Sequence, residues 1–175
     1  MSRIPLLLAA AIAAQWPLAA LSAGTLSVNF VDPEKYTDAA YRSPYGNARE
    51  RAAVTDDIRK HFEDLAARNL PDGYALDIDV LDVDLAGQFE PWRSPGYDLR
   101  VVRDVTWPRM TLRYTLHQGD TVVASGEQRI VDQNFNFGVN TYTSYDPLRY
   151  EKAMMDRWFN DTVTRRIAAQ GGTHG

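Results

Sequence analysis

Residues 74–92 read YALDIDVLDVDLAGQFEPW, and the fold class turns on how this stretch is parsed. Leu76, Ile78 and Val80 alternate with Asp77 and Asp79, a period of two that sends apolar side chains to one face of a strand and carboxylates to the other. At Val80 and Leu81 two apolar residues stand side by side. The alternation then resumes in the opposite phase, with Leu81, Val83 and Leu85 against Asp82 and Asp84. A slip of one residue turns the second half of a regular strand inside out, so the pattern predicts a β-bulge or bend in one long strand whose face stays on a core.

Shorter signals lie on both sides. Upstream, Leu26, Val28 and Phe30 alternate with Ser27 and Asn29 in a strand that ends at Asp32-Pro33, because proline cannot donate to a ladder. Glu34 to Gly46 is polar and aromatic and reads as a connection. A helix follows from about Ala48 or Thr55 to Asn69, with Val54, Ile58, Phe62 and Leu65 on its apolar side and Leu70-Pro71-Asp72-Gly73 as its stop. Downstream, Pro91, Ser94, Pro95 and Gly96 make Glu90 to Asp98 a loop, and Leu99 to Val102 is a short strand candidate. Met110, Leu112, Tyr114 and Leu116 alternate into the turn His117-Gln118-Gly119-Asp120, and Thr121 to Val131 returns as the second arm of a hairpin. Asp132 to Tyr145 has no period and reads as a functional or disordered loop. Asp146-Pro147 offers an N-cap and a first-turn proline for a helix to about Ala169, with Met155, Trp158, Phe159 and Val163 as its buried stripe. Residues 171–175 form a frayed tail. The order β-α-β-β-β-α predicts an α+β domain over 24–170, mainly antiparallel, with two amphipathic helices packed on one face of the sheet.

A chain of 175 residues with 45% hydrophobic and 24% charged residues can bury a core without staples. Cysteine is absent, which removes disulfides, thiol chemistry, a lipid-anchored N-terminal Cys and cysteine-type zinc sites. Arg3 precedes an apolar stretch from Ile4 to Leu21, broken by Gln15 and by Pro5 and Pro17, and Ala20-Leu21-Ser22-Ala23 offers small residues for a cut after Ser22 or Ala23. This is the pattern of a signal peptide over 1–23. The alternative, an uncleaved anchor, has a stretch barely long enough to span and no basic cluster behind it. Cleavage leaves no stable membrane span and moves the formal charge from −4 to −5, since Arg3 is the only charge removed. An acidic chain with no Lys/Arg run argues against nucleic acid and anionic membrane surfaces.

Candidate chemistry is sparse. Asp77 and Asp79 share one strand face and Asp82 and Asp84 another, so Asp82 and Asp84 are candidate ligands for a hard cation such as calcium. A solvated strand face reads the same way, and there is no glycine-containing ligand loop. His61, His117 and His174 have no ligand spacing. There is no G-x-S-x-G elbow, P-loop or G-x-G-x-x-G, and Ser125-Gly126-Glu127 lacks the context of a nucleophile, so no cofactor is expected. Glu90 with Asp98 is a conceivable acid/base pair that spacing does not single out. Aromatics in loops and at strand ends are the remaining feature. Trp92, Trp107, Phe135, Phe137, Tyr142 and Tyr145, with Arg109, are candidate binding residues for a protein or glycan partner, because large rigid rings give contact area at small entropic cost. The competing reading is that these rings close the ends of the core.

Four stretches in one order carry a resemblance: Val28-Asn29-Phe30-Val31-Asp32-Pro33-Glu34-Lys35-Tyr36-Thr37-Asp38, Leu81-Asp82-Val83-Asp84-Leu85-Ala86-Gly87, Trp107-Pro108-Arg109, and Leu148-Arg149-Tyr150-Glu151-Lys152 leading to Trp158-Phe159. Together they make the chain similar to the bacterial secreted family known as domain of unknown function 3016. The resemblance implies an exported protein of Gram-negative bacteria, periplasmic, and brings no catalytic or binding residues with it. The element order is similar, by analogy of fold, to small envelope domains that accompany outer-membrane or transport machinery. The leading expectation is a non-enzymatic accessory domain that binds an envelope protein or glycan. The alternative is a metal-dependent or acid/base hydrolase using the aspartates of the central strand.

Overall fold

A computed structural model describes residues 24–43, 46–90, 92 and 99–171. The export segment expected over 1–23 and residues 172–175 of the expected tail lie outside them, as does most of the loop before Leu99.

Strand β1 (Thr25–Phe30) leads through a short 3-10 turn at Pro33–Lys35 to helix α1 (Ala48–Asn69) and then to β2 (Tyr74–Asp84). A two-stranded ribbon, β3 (Gln88–Phe89) with β4 (Arg100–Val101), precedes the hairpin β5 (Arg109–Gln118) and β6 (Thr121–Val131). Helix α2 (Arg149–Phe159), a π-helical turn (Asn160–Thr164) and helix α3 (Arg165–Gly171) close the chain. The main sheet has the order β1-β2-β5-β6, parallel between β1 and β2 and antiparallel elsewhere. The fold is α+β, with the helices on one face.

The phase slip of β2 is a bulge. Val80 pairs with Leu112 and Asp82 with Thr111, so Leu81 is the extra residue and Val83 returns to the core side opposite Met110. Leu76, Ile78, Val80, Val83 and Leu85 are all buried as a result. They meet Val54, Ile58, Phe62 and Leu65 of α1 and Met155, Trp158 and Phe159 of α2, the stripes that the three- and four-residue spacings predict. Trp158 stands at the centre of this layer, edge-on to Phe62, Tyr114 and Phe159, and its Nε1 donates to Gln128 Oε1 at 2.7 Å. The opposite sheet face is polar. Arg113 lies between Asp79 and Glu127 there, 3.6 and 3.2 Å away.

Three expectations change. The long strand does not run unbroken to the loop that opens at Glu90: β2 ends at Asp84, and a turn at Gly87 starts β3. Gly87 has φ +83° and its Cα faces the Val101 carbonyl so closely that an added Cβ would lie 2.9 Å from that oxygen, which accounts for glycine at this point. Asp146 is not the cap of the second helix. Helix α2 begins at Arg149 with Leu148 in the cap position, while Asp146 accepts from the Leu148 N–H at 2.9 Å and from Lys152 Nζ at 2.6 Å. An Asx turn has satisfied the local donor one residue before the helix can start. The second helix is also interrupted, since the Arg165 N–H reaches back five residues to the Asn160 carbonyl.

Candidate functional site

After the bulge, β2 changes neighbours. The Val31 N–H donates to the Val80 carbonyl at 3.0 Å as β1 ends. The Tyr36 hydroxyl reaches the same carbonyl, and the Thr37 N–H and hydroxyl both donate to the Asp82 carboxylate, at 2.7 and 2.9 Å. Asp38 then bridges as a one-residue parallel strand: its N–H donates to the Val83 carbonyl and its carbonyl accepts from the Leu85 N–H. The segment read as a plain connection thus substitutes for β1 along the second half of β2.

Arg100 of β4 locks this segment in place. One guanidinium nitrogen donates to the Asp38 carboxylate at 2.8 Å and to the Ala40 carbonyl at 2.6 Å, the other to the carbonyls of Ala86 and Gly87. Its plane lies over the Phe89 ring, 4.5 Å from the centroid. On the other side of Ala86 sits Glu151, in the first turn of α2 and fully enclosed. Its Oε1 accepts from the Ala86 N–H at 2.7 Å, and its Oε2 is buried without a partner among the described residues. Burial pushes the Glu151 carboxyl up to about 7, against the opposing pull of the Ala86 N–H and of Arg100.

A second polar cluster ties the Asp132 to Tyr145 stretch to both helices. Asp156 of α2 accepts from His61 of α1 at 2.8 Å and from the Tyr142 hydroxyl at 2.7 Å. Burial by itself would raise the Asp156 carboxyl, but the bonds from His61 and Tyr142 outweigh it and hold the group below the usual carboxylate range. Near β3, the buried Glu90 carboxylate forms a two-pronged pair with Arg103, at 2.8 and 2.9 Å. Asp98, its suggested partner, lies outside the described residues.

The candidate residues separate into three environments. Asp82 is taken by Thr37, and Asp84 by Arg109, whose Nε and terminal nitrogen both donate to one carboxylate oxygen. Burial raises the Asp84 carboxyl, and Arg109 only partly offsets it. Among the described residues no group of three or more His, Asp or Glu converges as a cation would require. Phe135 is 5% exposed and stacks edge-on against Tyr150, and Tyr142 is engaged as above, so these two rings serve the interior. Trp107 is half-buried just before β5. Trp92, Phe137 and Tyr145 are exposed, at 69%, 72% and 94%. The bond from Asn136 Nδ2 to Asp104 at 2.9 Å brings the loop of Phe137 against the turn that carries the exposed Val105. Exposed apolar side chains thus stand on both tied segments, Val105 on one and Phe137 and Val139 on the other, an apolar rim carried by the two loops.

Sequence reasoning passed over Asp38, Arg100, Glu151 and Asp156. Glu151 alone left a signal, because it falls at the four- and seven-residue spacing from Met155 and Trp158, where an apolar side chain belongs.

Solved structures similar to this chain include protein XCC0632 from Xanthomonas campestris, of the family DUF330, at 13% identity over 88% of this chain and 89% of that one with a TM-score of 0.38. They also include the hypothetical protein CT253 from Chlamydia trachomatis, at 12% identity over 85% and 95% of the two chains with a TM-score of 0.31. No curated protein matches the sequence. The profile of the DUF3016 family, described as proteins of unknown function, matches residues 24–161, from the start of β1 into the π-helical turn, and the chain belongs to that family.

Proposed function

We propose that the protein is a non-enzymatic accessory domain of the bacterial cell envelope, exported to the periplasm, which binds a partner through its apolar rim. The observation that carries this reading is the exposure of Phe137, Val139 and Val105 beside a loop that is itself firmly anchored. Scattered exposed apolar residues are ordinary, whereas a group of them on a fixed scaffold is the usual form of an interaction surface. The anchoring is supplied by Phe135 on Tyr150 and by Tyr142 on Asp156, which order the loop before a partner arrives and so reduce the entropic cost of binding. Among the described residues no helix is long and apolar enough to cross a membrane, and the apolar stretch of residues 4–21 supports export.

The test is mild cross-linking in the periplasm followed by capture of the tagged chain. A reproducible envelope partner is expected, and Phe137→Ser with Val105→Ser is expected to lose it while the melting temperature holds. Undiminished capture by that folded double variant would move the binding surface elsewhere.

A further inference from the structure

The outermost strand of the hairpin is long and bare. Among the described residues β6, 11 residues long, has β5 as its only strand neighbour, and no backbone hydrogen bond reaches its other edge. Such an edge is a template for another strand. The devices that commonly blunt an edge are few here. There is no proline or lysine between Thr121 and Val131, and the one irregularity in its pairing lies at the hairpin end, beside His117. The opposite edge, β1, has only 6 residues.

Charge on the polar face decides what fits. Glu127 and Arg129 are two residues apart, both exposed, and share the face that carries Arg113. Glu127 has Arg113 at 3.2 Å, and Arg129 has no ion-pair partner among the described residues. If two copies of β6 pair antiparallel about an axis through Gln128, Glu127 of one faces Arg129 of the other, twice. Gly126 then faces Ile130, a small residue opposite a large one. On the core side the same stretch borders a groove of about 330 Å³ between β6 and the second helix, lined by Ile130, Val131, Trp158 and Thr162. Thr162 belongs to the π-helical turn, so the widened helix flanks the bare edge.

We propose that the free edge of β6 is a dimerisation surface that takes β6 of a second copy of this chain, antiparallel and centred on Gln128, joining the two four-stranded sheets into one. The surface is separate from the apolar rim, and its test does not depend on any envelope partner.

Sedimentation equilibrium of the purified chain is expected to give a dimer. Arg129→Glu places like charges opposite each other twice and is expected to weaken association about tenfold, whereas Arg129→Glu with Glu127→Arg restores it. The native chain has no cysteine, so introduced thiols report cleanly. Chains carrying Glu127→Cys and Arg129→Cys are expected to form a disulfide when mixed and not when kept apart, because directly opposed residues are roughly 4.5–5.5 Å apart at Cα, within disulfide reach. A chain that sediments as a monomer at all concentrations overturns the proposal, including one that instead takes up an extended peptide of another protein. So does a dimer insensitive to Arg129→Glu, or one in which the mixed cysteines stay unlinked.

Discussion

The carboxylate of Glu151 accepts the backbone N–H of Ala86 at 2.7 Å, joining the first turn of α2 to the turn that ends β2. A carboxylate near a helix N-terminus is favoured by the dipole, yet enclosure makes its charge costly. The folded group therefore holds its proton up to about pH 7, whereas the unfolded one releases it at an ordinary carboxylate pH. In between, the folded state binds more protons than the unfolded state, so stability falls as pH rises from the unfolded value through about 7. Glu151→Gln keeps an oxygen for Ala86 and has no charge to bury. Thermal melts between pH 5 and pH 8 are expected to show a decline for the native chain, of at most a few kcal/mol, that is largely flattened in the variant. Parallel profiles for the two proteins would assign the decline to other groups.

Aromatic residues two positions apart should behave oppositely. Phe135→Ser removes a ring packed against Tyr150 and is expected to cost about 3–5 kcal/mol. Phe137→Ser is expected to change stability by less than about 0.5 kcal/mol, as exposed substitutions do. Urea unfolding of the two variants checks both.

Tyr142→Phe keeps the ring beside His61 and removes the hydroxyl that donates to Asp156. A loss of about 1–2 kcal/mol is expected. The Asp156 carboxyl, losing one of its two donors, should also titrate higher. Carboxyl NMR titration measures that shift directly, and an unchanged value would mean that His61 and Arg68 set it without the tyrosine.

Calcium is expected to leave the melting temperature unchanged, because Asp82 is already satisfied by Thr37 and Asp84 by Arg109. Asp82→Asn with Asp84→Asn should lower the melting temperature equally with and without the ion. A calcium-dependent rise that this double variant abolishes would instead favour the hydrolase reading.

The sheet was legible because period is a property of neighbours in sequence. Leu76 through Leu85 state their faces and their slip within ten residues, and the stripes of α1 and α2 do so within two or three turns. What holds the loops was not legible in the same way. Asp38 meets Arg100 across 62 positions, and Glu151 meets a backbone N–H 65 positions away. A backbone donor has no residue type to mark it. Phe135 and Phe137 could not be told apart either, since their stretch has no period from which to assign an inside. The helix start shifted because Asp146, a good cap by type, spends its oxygen on the Leu148 N–H before the helix begins.

Leu81 is the extra count that the ladder has to skip. Pair it as an ordinary ladder residue and Val83 and Leu85 would face water while Asp82 and Asp84 entered the core, and Asp38 would lose its place opposite Asp84. Delete it and Val80 is followed directly by Asp82, so the alternation becomes regular and Val83 stays opposite Met110. The strand is thus two short rulers joined at a fixed offset, one measured against β1 and the other against the segment after it. The joint between them is therefore the tolerant point of the strand, and a change of residue type at Leu81, half-buried and outside the ladder count, leaves both rulers in register.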